Sequence, residues 1–144
     1  MRIEDSEPLV IADGDVRKGA DLQDRCFDFA CRIVALNDAL AKRGPSARSI
    51  GSQLLRSGTS IGANVEEADA GQSRADFLSK LTIALKEARE SYYWIRLLVR
   101  TGKLRDEDHA ESLMTEANRL VAILTSIIRN TKDNQSSKEV SPRA

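Results

Sequence analysis

The sequence has few of the residues on which most enzymes rely for proton transfer and metal binding. Among its 144 residues are one histidine, two cysteines and one tryptophan. A di-iron site in a helical bundle needs Glu-x-x-His on two helices, and Asp106-x-x-His109 is a single imperfect half of that pattern. His109 is also the single histidine that could act as the base for a serine or cysteine nucleophile. The sequence therefore predicts a non-enzymatic protein with no metal and no other cofactor.

Long apolar runs are also missing, as is a basic N-terminus followed by an apolar core. We therefore expect a cytoplasmic protein with no membrane partner and no secretion signal. Cys26 and Cys31 lie five positions apart, about 140° around a helix, so they are not placed to bridge each other or to share a ligand. We interpret both as small buried or half-buried apolar residues.

What the sequence does contain is helical periodicity over most of its length. Aromatic residues make up 4% and charged residues 31%, a balance that favours helix over sheet. Apolar residues recur at three- and four-residue spacing in four segments. The predicted helices run from Asp21 to Arg43, from Ser46 to Asp69, from Ser73 to Thr101, and from the acidic turn at Asp106 to Thr131, with Asp21 and Ser73 as N-caps.

Four amphipathic helices with short connections predict an all-α fold, an antiparallel up-down-up-down four-helix bundle over residues 21–131. Residues 1–20 are predicted to form a flexible N-terminal tail, and residues 132–144 a disordered C-terminal tail. In the first helix Leu22, Cys26, Phe29, Ala30, Ile33 and Leu40 form the predicted core face, which Phe27 and Val34 widen.

The second helix has an unusual middle, because Gly58 and Gly62 each cost about 1 kcal/mol of helix stability relative to alanine. We interpret them as points where a neighbouring helix approaches closely, with a flexible or ligand-contacting seam as the alternative. Asn64, at the margin of this helix's apolar face, is predicted to bond its amide to a neighbouring helix, or else to contact a partner.

The third helix is the most informative segment. Its apolar stripe comprises Phe77, Leu81, Ala84, Ala88, Tyr92, Ile95 and Val99. On one side of this stripe lie Lys86, Arg89, Tyr93, Arg96 and Arg100, which we call the basic flank. On the other side lie Ile83, Glu87, Glu90, Trp94 and Leu97, which we call the mixed flank. A surface helix of a monomer buries one stripe only, so the mixed flank predicts a subunit interface.

The basic flank is the best candidate site for function. The segment from Ser73 to Lys103 contains seven basic and three acidic residues, although the whole chain has a formal net charge of zero. Arginine and lysine could hold phosphates while Tyr93 stacks on a base, as on nucleic-acid-binding surfaces. The alternative is that these charges face water or neighbouring carboxylates. Glu87 and Glu90 are interpreted as ion-pairing residues within the helix, for example with Lys86, or across a subunit boundary.

Several of these segments resemble one protein family. Residues 57–68 read SGTSIGANVEEA, residues 77–90 read FLSKLTIALKEARE, and Tyr93-Trp94 follows. They resemble the bacterial 23S rRNA intervening-sequence proteins over about residues 21–131, most specifically over 54–104. The family pattern Ser-Ile-x-x-Asn-Ile-x-Glu-Gly is present with Val65 for isoleucine and Ala68 for glycine. The lost glycine would stiffen the end of the second helix.

The resemblance implies a left-handed up-down bundle that assembles as a homopentamer and has no known enzymatic activity. The family also includes similar accessory proteins of diversity-generating retroelements, which bind a reverse transcriptase and nucleic acid through a basic pentamer surface. We therefore expect a ring-forming bundle that binds RNA, DNA or a nucleic-acid-processing protein. The alternative is a protein-binding scaffold or accessory subunit with no nucleic-acid contact.

Overall fold

The structure, a computed structural model, describes residues 16–71 and 73–139 of the chain. Four helices make up this part: α1 (Val16–Leu40), α2 (Pro45–Asp69), α3 (Arg74–Arg100) and α4 (Ala110–Glu139), with a single 3-10 turn at Asp106–Asp108. No strand is present in these two ranges. The fold is all-α, a four-helix bundle, as the periodicity predicts.

The ends of α3 follow the predicted chemistry closely. Ser73 is the N-cap, and its hydroxyl accepts a hydrogen bond of 3.1 Å from the Asp76 amide. At the other end Gly102 has φ 75°, a left-handed conformation that costs glycine little. The amides of Lys103 and Leu104 turn back to the Leu98 carbonyl, and Leu104 is buried. The serine N-cap and the glycine after the last turn therefore suffice to define the two ends of this helix.

The outer ends of α1 and α4 differ from the prediction. Residues 16–20, expected in the N-terminal tail, belong to α1, so Asp21 lies within the helix and is not its cap. Residues 132–139, expected in the C-terminal tail, continue α4, where the side chains of 132–138 are exposed. Neither extension adds an apolar stripe, which is why periodicity does not detect it. Residues 1–15 and 140–144 lie outside the described residues.

The glycines of α2 mark its close approach to α1, as predicted. A Cβ at Gly58 would lie 2.9 Å from Ile33 Cγ1, and one at Gly62 would lie 3.2 Å from Cys26 Cβ. Gly51, further towards the start of α2, is similarly close to Leu40. From Gly51 through Gly58 to Gly62, the residue contacted in α1 changes from Leu40 through Ile33 to Cys26. The backbone proximity gained here offsets the helix-propensity cost of the glycines.

A buried hydroxyl pair joins α2 to α3. Ser91 donates a hydrogen bond of 2.9 Å to the Ser57 hydroxyl, and both side chains are fully buried. Further along, the ammonium group of Lys80 lies 2.8 Å from a Glu67 carboxylate oxygen. Because buried polar groups must be paired, Ser57 and Ser91 fix the register of the two helices.

The seam between α1 and α4 is wider and is spanned by long side chains. The Arg25 guanidinium donates to both carboxylate oxygens of Glu116, at 3.1 and 3.3 Å. Arg32 reaches the Ser112 hydroxyl at 3.2 Å. An open polar groove of about 460 Å³ follows this seam. Polar side chains therefore close the outer edge between α1 and α4.

Several predicted burials are wrong. Phe27 is 63% exposed and Val34 47% exposed, while Leu36 takes the core position between Ile33 and Leu40. Cys31 is exposed; Cys26 is buried, and burial raises the pKa of its thiol to about 12. The core face of α1 is thus narrower than its sequence suggests, because only α2 and the distant α4 flank it.

Two smaller corrections concern α2 and α3. Val99 is 36% exposed, and the adjacent Leu98 is buried in its place. The Asn64 amide donates to the Ser60 carbonyl of its own helix at 2.8 Å, not to a neighbouring helix as predicted. Asn64 therefore satisfies its amide locally.

A bidentate ion pair joins the α1–α2 connection to the α3–α4 connection. The Arg43 guanidinium donates to both Asp108 carboxylate oxygens at 2.8 Å and to the Lys103 carbonyl at 3.0 Å. Asp108 also accepts a hydrogen bond of 2.8 Å from the Arg105 amide. The hydrogen bonds from Arg43 lower the pKa of Asp108 from 3.8 to about 2. The folded state therefore favours the ionised form of this carboxyl.

Asp108→Asn is expected to lower the free energy of unfolding by about 2 kcal/mol near neutral pH and by little near pH 2. The pKa of Asp108 is depressed in the folded state, so its stabilisation is present above the ordinary carboxyl pKa and is lost as pH falls from about 4 to about 2. Urea unfolding of the wild type and the variant across this range measures the difference. Asp106→Asn, an exposed side chain in the same turn, should retain the wild-type pH dependence; equal curves for both variants would contradict the role of the pair.

Candidate nucleic-acid interface

The basic flank lies on the solvent side of α3, towards α4. Its five members, Lys86, Arg89, Tyr93, Arg96 and Arg100, are all exposed. They span fifteen residues of unbroken helix, and the fourteen steps of 1.5 Å between the first and the last correspond to about 21 Å. Because α3 is packed against both α2 and α4, the flank is held on a rigid support.

The four cations of the flank are free of ion pairs within the described part of the chain. The pairs formed there involve arginines of the other helices and connections, together with Lys80 of α3. Lys86, paired with Glu90 in one interpretation of the sequence, makes no such contact. Four positive charges along one face, without carboxylates to neutralise them, create a field that attracts polyanions.

Aromatic rings lie next to these charges. The guanidinium carbon of Arg96 lies 4.9 Å from the centroid of the half-buried Tyr92 ring, in cation–π geometry. Tyr93 is 49% exposed, and its ring packs edge-on against Trp94 with centroids 5.1 Å apart. Tyr93 is therefore open to solvent among the arginines, with its ring supported by Trp94.

The mixed flank is engaged within the chain to a large extent. Arg56 of α2 forms ion pairs with both Glu87 and Glu90, at 3.1 Å for Glu87. The Trp94 indole donates to Glu90 at 3.1 Å. The two glutamates are thus ion-paired, as interpreted, but to a neighbouring helix of the same chain. Ile83 is 38% exposed, and Leu97 and Trp94 are half-buried, so all three apolar members of this flank keep some accessible surface.

The structure adds two cations that sequence reasoning missed. Arg129 and Lys132 of α4 are exposed and line a shallow pocket with Leu85, which directly precedes Lys86 in α3. They too are free of ion pairs within the described residues. In sequence Arg129 lies more than forty residues from Lys86. Only the packing of α4 on α3 brings these two cations to the flank.

His109 is exposed and has φ 56°, in the connection before α4. It therefore lies outside α4, whereas the predicted fourth helix began at Asp106 and included it. No group of three or more metal-ligating side chains was found among the described residues. None of the helices described is both long and apolar enough to cross a bilayer.

A four-helix bundle with an exposed basic face along one helix is the class of protein that these observations define. The chain belongs to the 23S rRNA-intervening sequence protein family, whose model matches residues 19–126. A solved structure from Bacteroides thetaiotaomicron VPI-5482, described as a protein of unknown function from the S23 ribosomal protein family, is 44% identical. The match covers 77% of this chain and 97% of that one, with a TM-score of 0.71. No curated protein matches the chain.

Proposed function

We propose that this protein is a non-enzymatic, ring-forming helical bundle whose basic flank binds nucleic acid, or a nucleoprotein through its nucleic acid. The observation that carries the proposal is the set of four exposed cations on α3 without a carboxylate partner among the described residues. Unneutralised cations in a row bind phosphates by releasing condensed counterions. Membership of a family named for a ribosomal RNA intervening sequence agrees with this proposal.

The competing proposal, a protein-binding scaffold with no nucleic-acid contact, depends on the apolar surface. Phe27 and Val34 on α1 are exposed, and with exposed Cys31 and Ala35 they form what we call the α1 apolar patch. A scaffold would use this patch and leave the basic flank in water. We favour nucleic acid for the flank because it contains one aromatic ring among four like charges, a composition ill-suited to an apolar protein interface.

Measuring the binding of RNA and DNA oligonucleotides at several salt concentrations tests the proposed function. If four cations contact a single strand, the slope of log affinity against log salt is expected to be about −3, and binding should be detectable at low salt. Fluorescence anisotropy of labelled strands measures both quantities. Absence of binding at low salt would reject the nucleic-acid proposal and favour the scaffold.

For the assembly, we extend the proposal to an antiparallel up-down-up-down bundle that forms a homopentamer. A closed ring is heterologous, so each subunit must offer two different, complementary surfaces. The mixed flank supplies one through Ile83 and Leu97, and the α1 apolar patch is suited to supply the other. These two surfaces lie on different helices of the bundle. The basic flank belongs to neither, so a ring would repeat it and strengthen its field.

Disrupting either surface is expected to break the ring. Phe27→Asp with Val34→Asp, or Ile83→Asp alone, should convert a pentamer into monomers with the helical content unchanged, as measured by light scattering and circular dichroism. Each variant keeps one intact surface, so an equimolar mixture of the two should form heterodimers and no larger ring. A monomeric wild type would contradict the ring, and a pentameric α1 variant would contradict the role of its patch.

A further inference from the structure

A shallow pocket adjoins the basic flank where α3 meets the second half of α4. It has a volume of about 290 Å³ and is lined by Leu85, Thr125, Ile128, Arg129, Lys132 and Asp133. Leu85 lies one helical turn before Arg89, so the two share a side of α3 and the pocket adjoins the flank there.

The floor of the pocket is apolar and its rim is mainly basic. Ile128 is 8% exposed and Leu85 is half-buried. The Thr125 hydroxyl donates to the Val121 carbonyl of its own helix at 2.7 Å, so its proton is already used. Around them Arg129 and Lys132 extend into solvent, with Asp133 as the one carboxylate of the lining. An apolar floor with cations at its edge fits a flat aromatic ring that carries a phosphate.

We propose that this pocket is a nucleotide subsite, in which one unpaired base of a single-stranded nucleic acid packs against Leu85 and Ile128 while its phosphates lie near Arg129 and Lys132. The subsite rests on the nucleic-acid binding proposed above and defines the form of nucleic acid as a single strand. Its contacts are independent of the four cations of α3, so each can be tested separately.

The choice of a single strand follows from the two proposed base contacts, one on Tyr93 and one in the pocket. Tyr93 and Leu85 are eight residues apart on α3, which corresponds to about 12 Å along the helix. Successive bases in a duplex are stacked about 3.4 Å apart, so only their edges are exposed. An unpaired strand can turn one base onto Tyr93 and another into the pocket, because stacking on side chains needs a free face. The intervening backbone then follows Lys86 and Arg89.

The test compares three labelled probes of equal length: a single strand, the corresponding duplex, and a single strand whose alternate positions are abasic. Fluorescence anisotropy gives the affinity of each for the full-length protein. The intact single strand is expected to bind at least about tenfold more tightly than the abasic strand, because a stacked base contributes a factor of that order. It should also bind more tightly than the duplex.

Two pairs of substitutions separate the pocket from general electrostatics. Arg129→Glu with Lys132→Glu is expected to weaken single-strand binding at least tenfold and to reduce the salt slope by about 1.4. Lys42→Glu with Lys138→Glu makes the same change in net charge at exposed positions on the α1–α2 connection and near the end of α4. This control should change the affinity less than twofold. All four side chains are exposed, so circular dichroism should report unchanged folding.

The outcomes distinguish the subsite from the function on which it rests. Equal binding of all three probes, together with equal effects of the two substitution pairs, would overturn the subsite while leaving phosphate binding by α3 intact. No binding of any probe at low salt would overturn both. A preference for the intact single strand that is lost with Arg129 and Lys132, and kept in the control, supports the subsite.

Discussion

Reversing the four positive charges of the basic flank, with Lys86, Arg89, Arg96 and Arg100 all changed to glutamate, is expected to weaken single-strand binding by at least about 100-fold near 0.1 M salt. Each cation that contacts a phosphate contributes about 0.7 to the salt slope on a single strand. The reversed variant should therefore lose about 3 units of slope as well as affinity. Anisotropy titrations at several salt concentrations measure both.

The matched control reverses four exposed cations outside the flank, namely Lys42, Arg74, Arg105 and Lys138. It changes the net charge of the chain by the same amount. If long-range attraction to net charge governs binding, both variants should weaken it equally, and the flank would have no special role. If the flank contacts phosphates, the control should retain most of the affinity and nearly all of the slope.

Gly58→Val is expected to lower the free energy of unfolding by about 2 to 3 kcal/mol. The new Cβ would lie 2.9 Å from Ile33 Cγ1 and 3.1 Å from Ile33 Cγ2. Ile33 is β-branched and fully buried, so it has little freedom to move aside. Helices α1 and α2 must separate, or a rotamer must be strained. Urea unfolding at a fixed protein concentration measures the loss, since association would add to the apparent stability.

Two further variants identify the cause of that loss. Gln53→Val places the same side chain on the exposed face of α2 and should change the stability by no more than about 0.5 kcal/mol. Ile33→Ala creates a cavity that the valine of Gly58→Val would partly fill, so the double variant should be more stable than the sum of the two single losses predicts. Additive losses would show that Gly58 and Ile33 are not packed against each other.

The sequence predicts the start of α2 and both ends of α3 to within one residue. The predicted end of α1 at Arg43 and start of α4 at Asp106 lie three and four residues from the observed Leu40 and Ala110. Ser73, Gly102 and Pro45 act on the backbone within a few residues, so a local rule is enough to place the start of α2 and both ends of α3. Residues 16–20 and 132–139 carry no such stop signal and no apolar stripe, so the prediction made both outer helices too short. Close packing at Gly58 was also predictable, because a glycine inside a helix requires a compensating contact.

The candidate site divides in the same way. Which side chains share a face of α3 follows from the helical repeat, so the sequence by itself determined the basic flank and the mixed flank as groups. Only the tertiary structure decided what lies opposite each group. Arg56 of α2 neutralises Glu87 and Glu90, whereas α4 brings Arg129 and Lys132 beside the flank. The packing of the helices also left Phe27 and Val34 exposed. The helical repeat specifies directions around one axis, but pairing and exposure depend on where the other helices pack.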